Sequence, residues 1–175
     1  AIFKKEAAFY KKRGGNVLWV GHPMIDLTKK LPLKKDARTI LNLRPDQNIL
    51  LLMPASRPQE LRYILPTFMR AAKKLQQKYP SLVVYIPSCR DAFDEIFKKA
   101  FRKYQVKGLV ISQKDSAKLK PYIYSLTKIA LCKSGTVNME LALYGIPQIV
   151  GYRVSRVTAF IAKKILNFKV RFISP

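Results

Sequence analysis

The stretch K-S-G-T-V-N-M-E-L-A-L-Y-G-I-P-Q-I-V-G-Y-R, from Lys133 to Arg153, determines how the rest of the chain is interpreted. It follows the apolar run Ile129 to Cys132, which has the length and bulk of a buried strand. A short helix is predicted from Val137 to Tyr144, and it ends at Gly145 with a proline two residues further on. Residues 148–152 are predicted to form the next strand. Strand, turn, helix and strand in this order are half of a parallel α/β unit.

The turn of this unit is a candidate anion site. Ser134, Gly135 and Thr136 lie where the helix begins, at the carboxyl edge of the predicted sheet, and open α/β sheets bind ligands at that edge. A helix N-terminus with hydroxyl groups and a glycine amide favours phosphate.

Glu140 stands in the first turns of the same helix. If Thr136 is the N-cap, the acid of a capping box would fall at position 139, so Glu140 is one residue too late for that role. It is either a first-turn acid favoured by the helix dipole or a carboxylate that binds two neighbouring sugar hydroxyls. A hydroxyl-binding acid beside a phosphate site describes a nucleotide pocket.

Arg57 is a second anion-binding candidate. It ends the turn Pro54 to Arg57, directly after the predicted strand Ile49 to Met53. An arginine at the carboxyl end of a strand can bind two phosphate oxygens at once, although a solvated surface charge is the alternative.

Predicted strands and helices alternate along most of the chain. The remaining strands are predicted at residues 17–20, 82–86 and 109–112, and the remaining helices at residues 2–13, 36–43, 61–79, 92–104 and 117–126. The helix at 92–104 has a predicted core stripe of Phe93, Ile96, Phe97, Ala100 and Phe101. This alternation predicts an α/β fold with a doubly wound parallel sheet.

The chain carries 34 Lys and Arg against 10 Asp and Glu, a formal net charge of +24. Such a charge attracts nucleic acid, anionic lipid surfaces or phosphorylated substrates. Because the basic residues are spread over all elements without a recognised motif, nucleic acid is not expected as a partner. Cys89 and Cys132 have no metal-ligand spacing and are interpreted as buried thiols in a reducing compartment, with a disulfide as the minor alternative. No metal or cofactor is expected.

A basic amphipathic segment follows the last predicted strand. Val157, Phe160 and Ile161 fall on one helical face, flanked by Arg156 and Lys164. The segment is either a core helix that closes the domain or a face that contacts an anionic membrane or an acylated, phosphorylated substrate.

Three motifs carry a family resemblance. S-G-T-x-x-x-E-L-A followed by I-P-x-I-V-G-Y-R, together with P-A-S-R at Pro54 to Arg57 and V-G-H-P at Val20 to Pro23, resembles the C-terminal half of lipid-A-disaccharide synthases of the cyanobacterial type. These are inverting glycosyltransferases of the GT-B fold. The resemblance runs through nearly the whole chain, although Ala55 stands where relatives commonly have glycine.

The resemblance implies a domain organisation. Residues 1–25 would be the last helix and strand of an N-terminal GT-B domain with the hinge, and residues 26–175 a Rossmann-like C-terminal domain that binds the nucleotide sugar. The chain would then be a fragment truncated at both ends, able to bind the donor without catalysing transfer. No catalytic residue is assigned within it, since the general base would lie outside, and His22 is interpreted as a turn residue.

The resemblance also implies a reaction. Diacylglucosamine would pass from UDP-2,3-diacylglucosamine to 2,3-diacylglucosamine 1-phosphate, giving lipid A disaccharide and UDP. Arg57 and the amides of Ser134, Gly135 and Thr136 would neutralise the diphosphate, and Glu140 would bind the ribose. The protein would be cytoplasmic and peripheral on the inner membrane, or in an organelle of a eukaryote, and a homodimer is left open. The alternatives are another UDP-N-acetylglucosamine-using GT-B transferase or epimerase and, less favoured, a basic nucleic-acid-binding module.

Overall fold

The computed structural model describes residues 1–28, 30–54 and 57–153. The chain forms two compact units, Ala1–Lys30 and Leu31–Pro175. The first unit contains α1 (Lys4–Lys11) and α2 (Pro23–Leu27). His22 is the N-cap of α2, where its Nδ1 accepts a hydrogen bond from the backbone N–H of Met24 at 3.2 Å. This capping bond gives His22 a structural role in the turn.

The strand predicted at residues 17–20 does not form in the described part of this unit. The segment makes only a short pairing with the start of the chain, in which the Ala1 amino group donates to the Leu18 carbonyl at 2.8 Å and the Val20 N–H donates to the Ala1 carbonyl at 3.1 Å. Leu18 is 74% exposed and Val20 70% exposed. The apolar run therefore has neither a continuous partner strand nor a core within its own unit.

The second unit is a parallel sheet covered by helices. Its strands in the described ranges are β1 (Asn48–Met53), β2 (Leu82–Pro87), β3 (Gly108–Ile111), β4 (Thr127–Lys133) and β5 (Gln148–Gly151). Its helices there are α3 (Lys34–Ile40), α4 (Pro58–Lys78), α5 (Asp94–Tyr104), α6 (Gln113–Leu126) and α7 (Thr136–Leu143), with a short 3-10 turn, Asp91–Phe93, before α5.

The strand order is β3-β2-β1-β4-β5, and every neighbouring pair is parallel. The chain moves outward from β1 through β2 to β3, then crosses back to the other side of β1 and continues through β4 to β5. The direction of winding therefore changes between β1 and β4. In open α/β sheets, the crevice at such a switch point is where ligands bind.

The central strand β1 is buried on both faces, which explains its unbroken apolar sequence. Leu50 and Leu52 pack in the cluster that includes α4 and α5, whereas Ile49 and Leu51 pack in the cluster that includes α3, α6 and α7. All four side chains are 0% exposed. Successive residues of a strand point to opposite faces, so a strand covered on both sides must be apolar throughout. The predicted doubly wound parallel fold is confirmed.

Apart from α2, the observed helices begin and end within four residues of their predicted bounds, and α6 and α5 show the two main differences. Helix α6 begins four residues before the predicted start at 117, because Ser112 caps it: the Ser112 hydroxyl accepts from the Asp115 N–H at 3.1 Å. Four of the five residues of the predicted core stripe around α5 are buried, namely Phe93, Phe97, Ala100 and Phe101. The fifth, Ile96, is 43% exposed. Ile96 instead lies on an outer groove of the helical layer.

Candidate ligand site at the carboxyl edge of the sheet

A cavity of about 240 Å³ lies at the switch point of the sheet. The ends of β1, β2 and β4 and the first turns of α7 surround it. Its lining residues are Met53, Pro54, Pro87, Cys89, Lys133, Ser134, Gly135, Thr136, Val137 and Glu140. The topology alone places a ligand crevice here, since the connections that leave β1 and β4 lead to helices on opposite faces of the sheet, α4 and α7.

The turn that opens α7 is fixed by Asn138. Gly135 is the N-cap, and its N–H donates to the Asn138 Oδ1 at 2.7 Å. The Asn138 Nδ2 donates in turn to the Gln148 Oε1 at 3.1 Å, and the Gln148 Nε2 donates to the Asn138 carbonyl at 2.7 Å. Asn138 is 4% exposed, so this buried amide network ties the turn to β5 and holds it in one conformation.

This network changes which amides of the turn can face a ligand. The Gly135 N–H is already used by Asn138 and is not available to a phosphate in this conformation. The N–H groups of Thr136 and Val137 begin the helix, and the first N–H groups of a helix have no carbonyl partner within it. Both residues line the cavity, so the anion-favouring end of α7 faces the ligand space.

Glu140 lies in the cavity wall and is held by a lysine from another helix. Its Oε1 is 2.7 Å from the Lys120 Nζ of α6, and the Glu140 side chain is 22% exposed. Burial, together with the nearby Glu140 carboxylate, raises the pKa of Tyr124, so that phenol stays protonated. The ion pair with Lys120 thus limits the orientations of the Glu140 carboxylate.

Lys133 supplies a cation at the base of the cavity. It is the last residue of β4, and its Nζ lies 2.7 Å from the Glu60 Oε1 in the first turn of α4. The two side chains are 20% and 19% exposed, so the pair is largely withdrawn from water. An ion pair so shielded from solvent is less screened by salt than one on the surface.

The structure brings together most of the predicted site residues. Ser134, Gly135, Thr136 and Glu140 all line the same cavity. Arg57 is exposed at the N-cap of α4, after the carboxyl end of β1, and is not among the residues that line the cavity. Two further residues of its turn, at positions 55 and 56, lie outside the described residues. The predicted membrane face of Arg156, Val157, Phe160, Ile161 and Lys164 also lies outside them.

The prediction missed Lys133, Glu60 and Lys120 as members of the site. A sequence signal existed for Lys133, which is a single charge at the end of an apolar strand. The partners Glu60 and Lys120 carry no such signal, because they come from distant helices and meet the site only in the folded sheet.

The two cysteines differ in environment, and neither forms a disulfide. Cys132 is buried in β4, and burial raises its pKa to about 11. Cys89 is exposed and lines the cavity, so the prediction of a buried thiol is correct for Cys132 and wrong for Cys89. Cys89 follows the end of β2, where the chain has left the sheet, and loop residues at a sheet edge face solvent.

Within the described ranges, no helix is both long and apolar enough to cross a bilayer. The fold and the site together define a class. A parallel α/β domain whose switch-point cavity is lined by a helix N-terminus, a lysine and a carboxylate is typical of Rossmann-like domains that bind phosphorylated ligands.

Comparison with known proteins identifies the family. The chain belongs to the lipid-A-disaccharide synthetase family, whose family model matches residues 1–175. It is 50% identical to the lipid-A-disaccharide synthase of Prochlorococcus marinus (strain MIT 9313) over 175 residues, which are 100% of this chain and 45% of that protein. It is 38% identical to the enzyme of the same name from Gloeothece citriformis (strain PCC 7424) over 175 residues, 100% of this chain and 44% of that protein.

A more distant relative is the lipid-A-disaccharide synthase of Vibrio vulnificus (strain YJ016), 33% identical over 177 residues, with 99% of this chain and 44% of that protein covered. The chain therefore spans less than half the length of these relatives, at 44–45% of each. The family resemblance inferred from the S-G-T and I-P-x-I-V-G-Y-R motifs is confirmed.

Proposed function

We propose that this chain provides the donor-binding part of a lipid-A-disaccharide synthase. The reaction transfers diacylglucosamine from UDP-2,3-diacylglucosamine to 2,3-diacylglucosamine 1-phosphate and yields lipid A disaccharide and UDP. The observation that carries this proposal is the switch-point cavity, where an anion-favouring helix start and a fixed carboxylate face the same space. The family membership supplies the sugar and lipid classes of the substrates.

The diphosphate of the donor binds at the start of α7 in this proposal. The N–H groups of Thr136 and Val137 donate to phosphate oxygens, and the Lys133 ammonium adds a positive charge from the end of β4. Arg57 approaches from the neighbouring strand end when the ligand is bound. Basic groups and helix amides, without a metal ion, then balance the charge of the diphosphate.

Glu140 binds the ribose of the donor. Its carboxylate accepts hydrogen bonds from the two neighbouring ribose hydroxyls, while Lys120 holds the Oε1 oxygen at 2.7 Å. Lys120 is therefore a positioning residue that acts through Glu140. A hydrogen bond to a charged group contributes roughly 1.5–3 kcal/mol, so this contact is a large part of nucleotide selectivity.

Charge on the leaving group explains how the site assists the reaction. The acceptor hydroxyl forms a bond to the anomeric carbon and gives its proton to a general base that this chain does not supply, while the bond from that carbon to the diphosphate oxygen breaks. Negative charge grows on the departing UDP, and the α7 amides and Lys133 stabilise it as it forms. Donors positioned in advance at developing charge are usually the largest catalytic contribution.

The proposal is tested by measuring transfer from UDP-2,3-diacylglucosamine to the 1-phosphate acceptor with the purified full-length synthase that contains this chain, because the general base is expected to lie outside the chain. Glu140→Gln keeps the size of the side chain but removes the charge that binds the ribose, so kcat/KM should fall by roughly 10- to 100-fold. Glu95→Gln is the matched control, because Glu95 is exposed on α5, forms an ion pair with Lys98 and is not among the residues that line the cavity. If both variants keep wild-type kcat/KM, the ribose role of Glu140 is wrong.

A further inference from the structure

A second cavity, of about 380 Å³, lies outside the ligand site, between α4 and α5. We call it the α4–α5 groove. Its lining residues are Pro58, Leu61, Arg62, Leu65, Pro66, Ile96, Lys99, Ala100, Lys103 and Tyr104. They recur every three or four residues on each helix, so each helix contributes one continuous stripe to the groove.

The floor of the groove is apolar. Leu61 is 3% exposed, Leu65 5% and Ala100 7%, and they connect the groove to the core beneath it. Ile96 is 43% exposed at the side of the groove, although it lies between buried residues of α5. Because these floor residues are almost fully buried, Ile96 supplies an exposed apolar side chain at the groove, beside its charged residues.

The edge of the groove is positively charged. Arg62, Lys99 and Lys103 are exposed and line it, and no Asp or Glu is among its lining residues. The acid nearest in sequence to Ile96 is Glu95, which forms an ion pair with Lys98 at 2.9 Å. The groove therefore combines an apolar floor with a rim of one sign of charge.

We propose that the α4–α5 groove binds an anionic lipid at a membrane surface. The headgroup phosphate contacts Arg62, Lys99 and Lys103, and an acyl chain covers Ile96 and the apolar floor. Amphipathic surfaces with lysine and arginine beside large apolar residues bind anionic bilayers through electrostatic attraction to the headgroups and through burial of apolar surface. Nucleic acid would use the charged rim but would leave the apolar floor uncovered.

Charge also argues against the rest of this chain as the occupant. The segment at 154–175 is itself basic, with Arg156, Lys163, Lys164, Lys169 and Arg171, and carries no acid. Placing it in a groove lined by three further cations would bring like charges together. An anionic lipid instead neutralises those cations.

This inference goes beyond the proposed function, since lipid binding at the groove does not require a nucleotide. It also gives the groove a place relative to the ligand site. Pro58 lines the groove and is the first residue of α4, whose first turn also carries Glu60, the partner of the cavity residue Lys133. A bilayer at the groove would therefore lie near the edge of the sheet where an acylated donor binds.

The test is flotation of the protein with vesicles of phosphatidylcholine alone or of phosphatidylcholine mixed with phosphatidylglycerol. Wild-type protein should bind the anionic vesicles, and the binding should weaken as salt rises. Each basic residue near an anionic surface changes the affinity about fivefold, so the double variant Lys99→Glu and Lys103→Glu should lose more than about tenfold. The matched control is Lys114→Glu with Lys118→Glu, the same change at the same spacing on α6, where both lysines are exposed.

A second pair of variants tests the apolar contact without changing charge. Ile96→Gln should weaken vesicle binding several-fold, whereas Ile40→Gln, at an isoleucine that is 54% exposed on α3, should not. Equal losses for the two lysine pairs would mean that only net charge acts, and would overturn the proposal. So would wild-type binding by Ile96→Gln, or a change in the oligomeric state of the groove variants in place of a change in vesicle binding.

Discussion

The switch-point cavity and the α4–α5 groove are built from the same kinds of residues but arrange their charges in opposite ways. In the cavity region, Lys133 and Lys120 each lie 2.7 Å from a carboxylate, of Glu60 and Glu140 respectively. In the groove, three cations line a surface that has no carboxylate. The net charge of +24 counts paired and unpaired cations alike, so it cannot distinguish the two arrangements.

The difference indicates what each region can do. A paired, partly buried lysine contributes little long-range field, but its position is fixed, which suits the recognition of one ligand geometry. Exposed cations that are not held in an ion pair add to the field around the protein, which attracts any anionic surface within about one Debye length, roughly 8 Å at physiological salt. The cavity is therefore suited to selecting one ligand, and the groove to attracting anionic surfaces.

The largest expected effect concerns the stability of the paired cation. Lys133→Met removes the counter-ion of a largely buried Glu60 carboxylate, and breaking such a pair from one side costs up to about 3 kcal/mol of unfolding free energy. Lys99→Met in the groove should change the unfolding free energy by less than about 0.5 kcal/mol, as for other surface substitutions. Urea denaturation of both variants measures the difference.

A second variant separates the loss of the pair from the loss of the lysine stem. Glu60→Gln combined with Lys133→Met leaves no buried charge, so it should recover part of the stability lost in Lys133→Met. If Lys99→Met destabilises the protein as much as Lys133→Met does, the contrast between the two regions is wrong.

A smaller effect concerns the reactivity of the cysteines. Cys89 is exposed in the cavity and should react with iodoacetamide at pH 8, whereas Cys132 is buried with its pKa raised to about 11 and should react only after unfolding. UDP at ten times its dissociation constant should slow the alkylation of Cys89 about tenfold, because only the unoccupied fraction reacts. Anionic vesicles should slow the alkylation of Cys89 much less than UDP does, because the lipid binds at the α4–α5 groove and not in the cavity. Protection by vesicles and not by UDP would exchange the roles of the two regions.

The smallest effect is expected at Lys120. Lys120→Met should weaken UDP about threefold, because Glu140 loses one of the groups that orient it but keeps its own charge. Lys118→Met is the control, at an exposed lysine of the same helix. Calorimetric titration measures both, and a loss as large as that of Glu140→Gln would mean that Lys120 contacts the ligand itself.

The fold was largely predictable because its strands are short apolar runs between clear turn signals. Ile49 to Met53 is a short apolar run that ends at a proline, which favours a buried strand, and Gly145 with the following proline marked the end of α7. The failure at residues 17–20 has a physical cause, since an apolar run becomes a strand only where a neighbouring strand pairs with it. The strand propensity of residues 17–20 does not by itself provide such a neighbouring strand.

The site was predictable only where its residues are close in sequence. Ser134 to Glu140 form one local turn and helix, so a single motif placed them together. The Lys133–Glu60 pair joins the end of β4 to the first turn of α4, and a single sequence contains no information about that contact. The N-cap was misplaced by one residue, because the side chain of Asn138 reaches back to the Gly135 N–H and makes glycine the cap.

The central claim is that Glu140 and the start of α7 form a nucleotide site, and ligand binding to wild type and Glu140→Gln tests it most directly. Calorimetric titrations with UDP and with pyrophosphate separate the ribose contact from the phosphate contacts. Wild-type protein should bind both, and Glu140→Gln should weaken UDP roughly 10- to 100-fold while changing pyrophosphate less than about twofold. Absence of UDP binding to the wild type, or equal weakening of both ligands in Glu140→Gln, would contradict the claim.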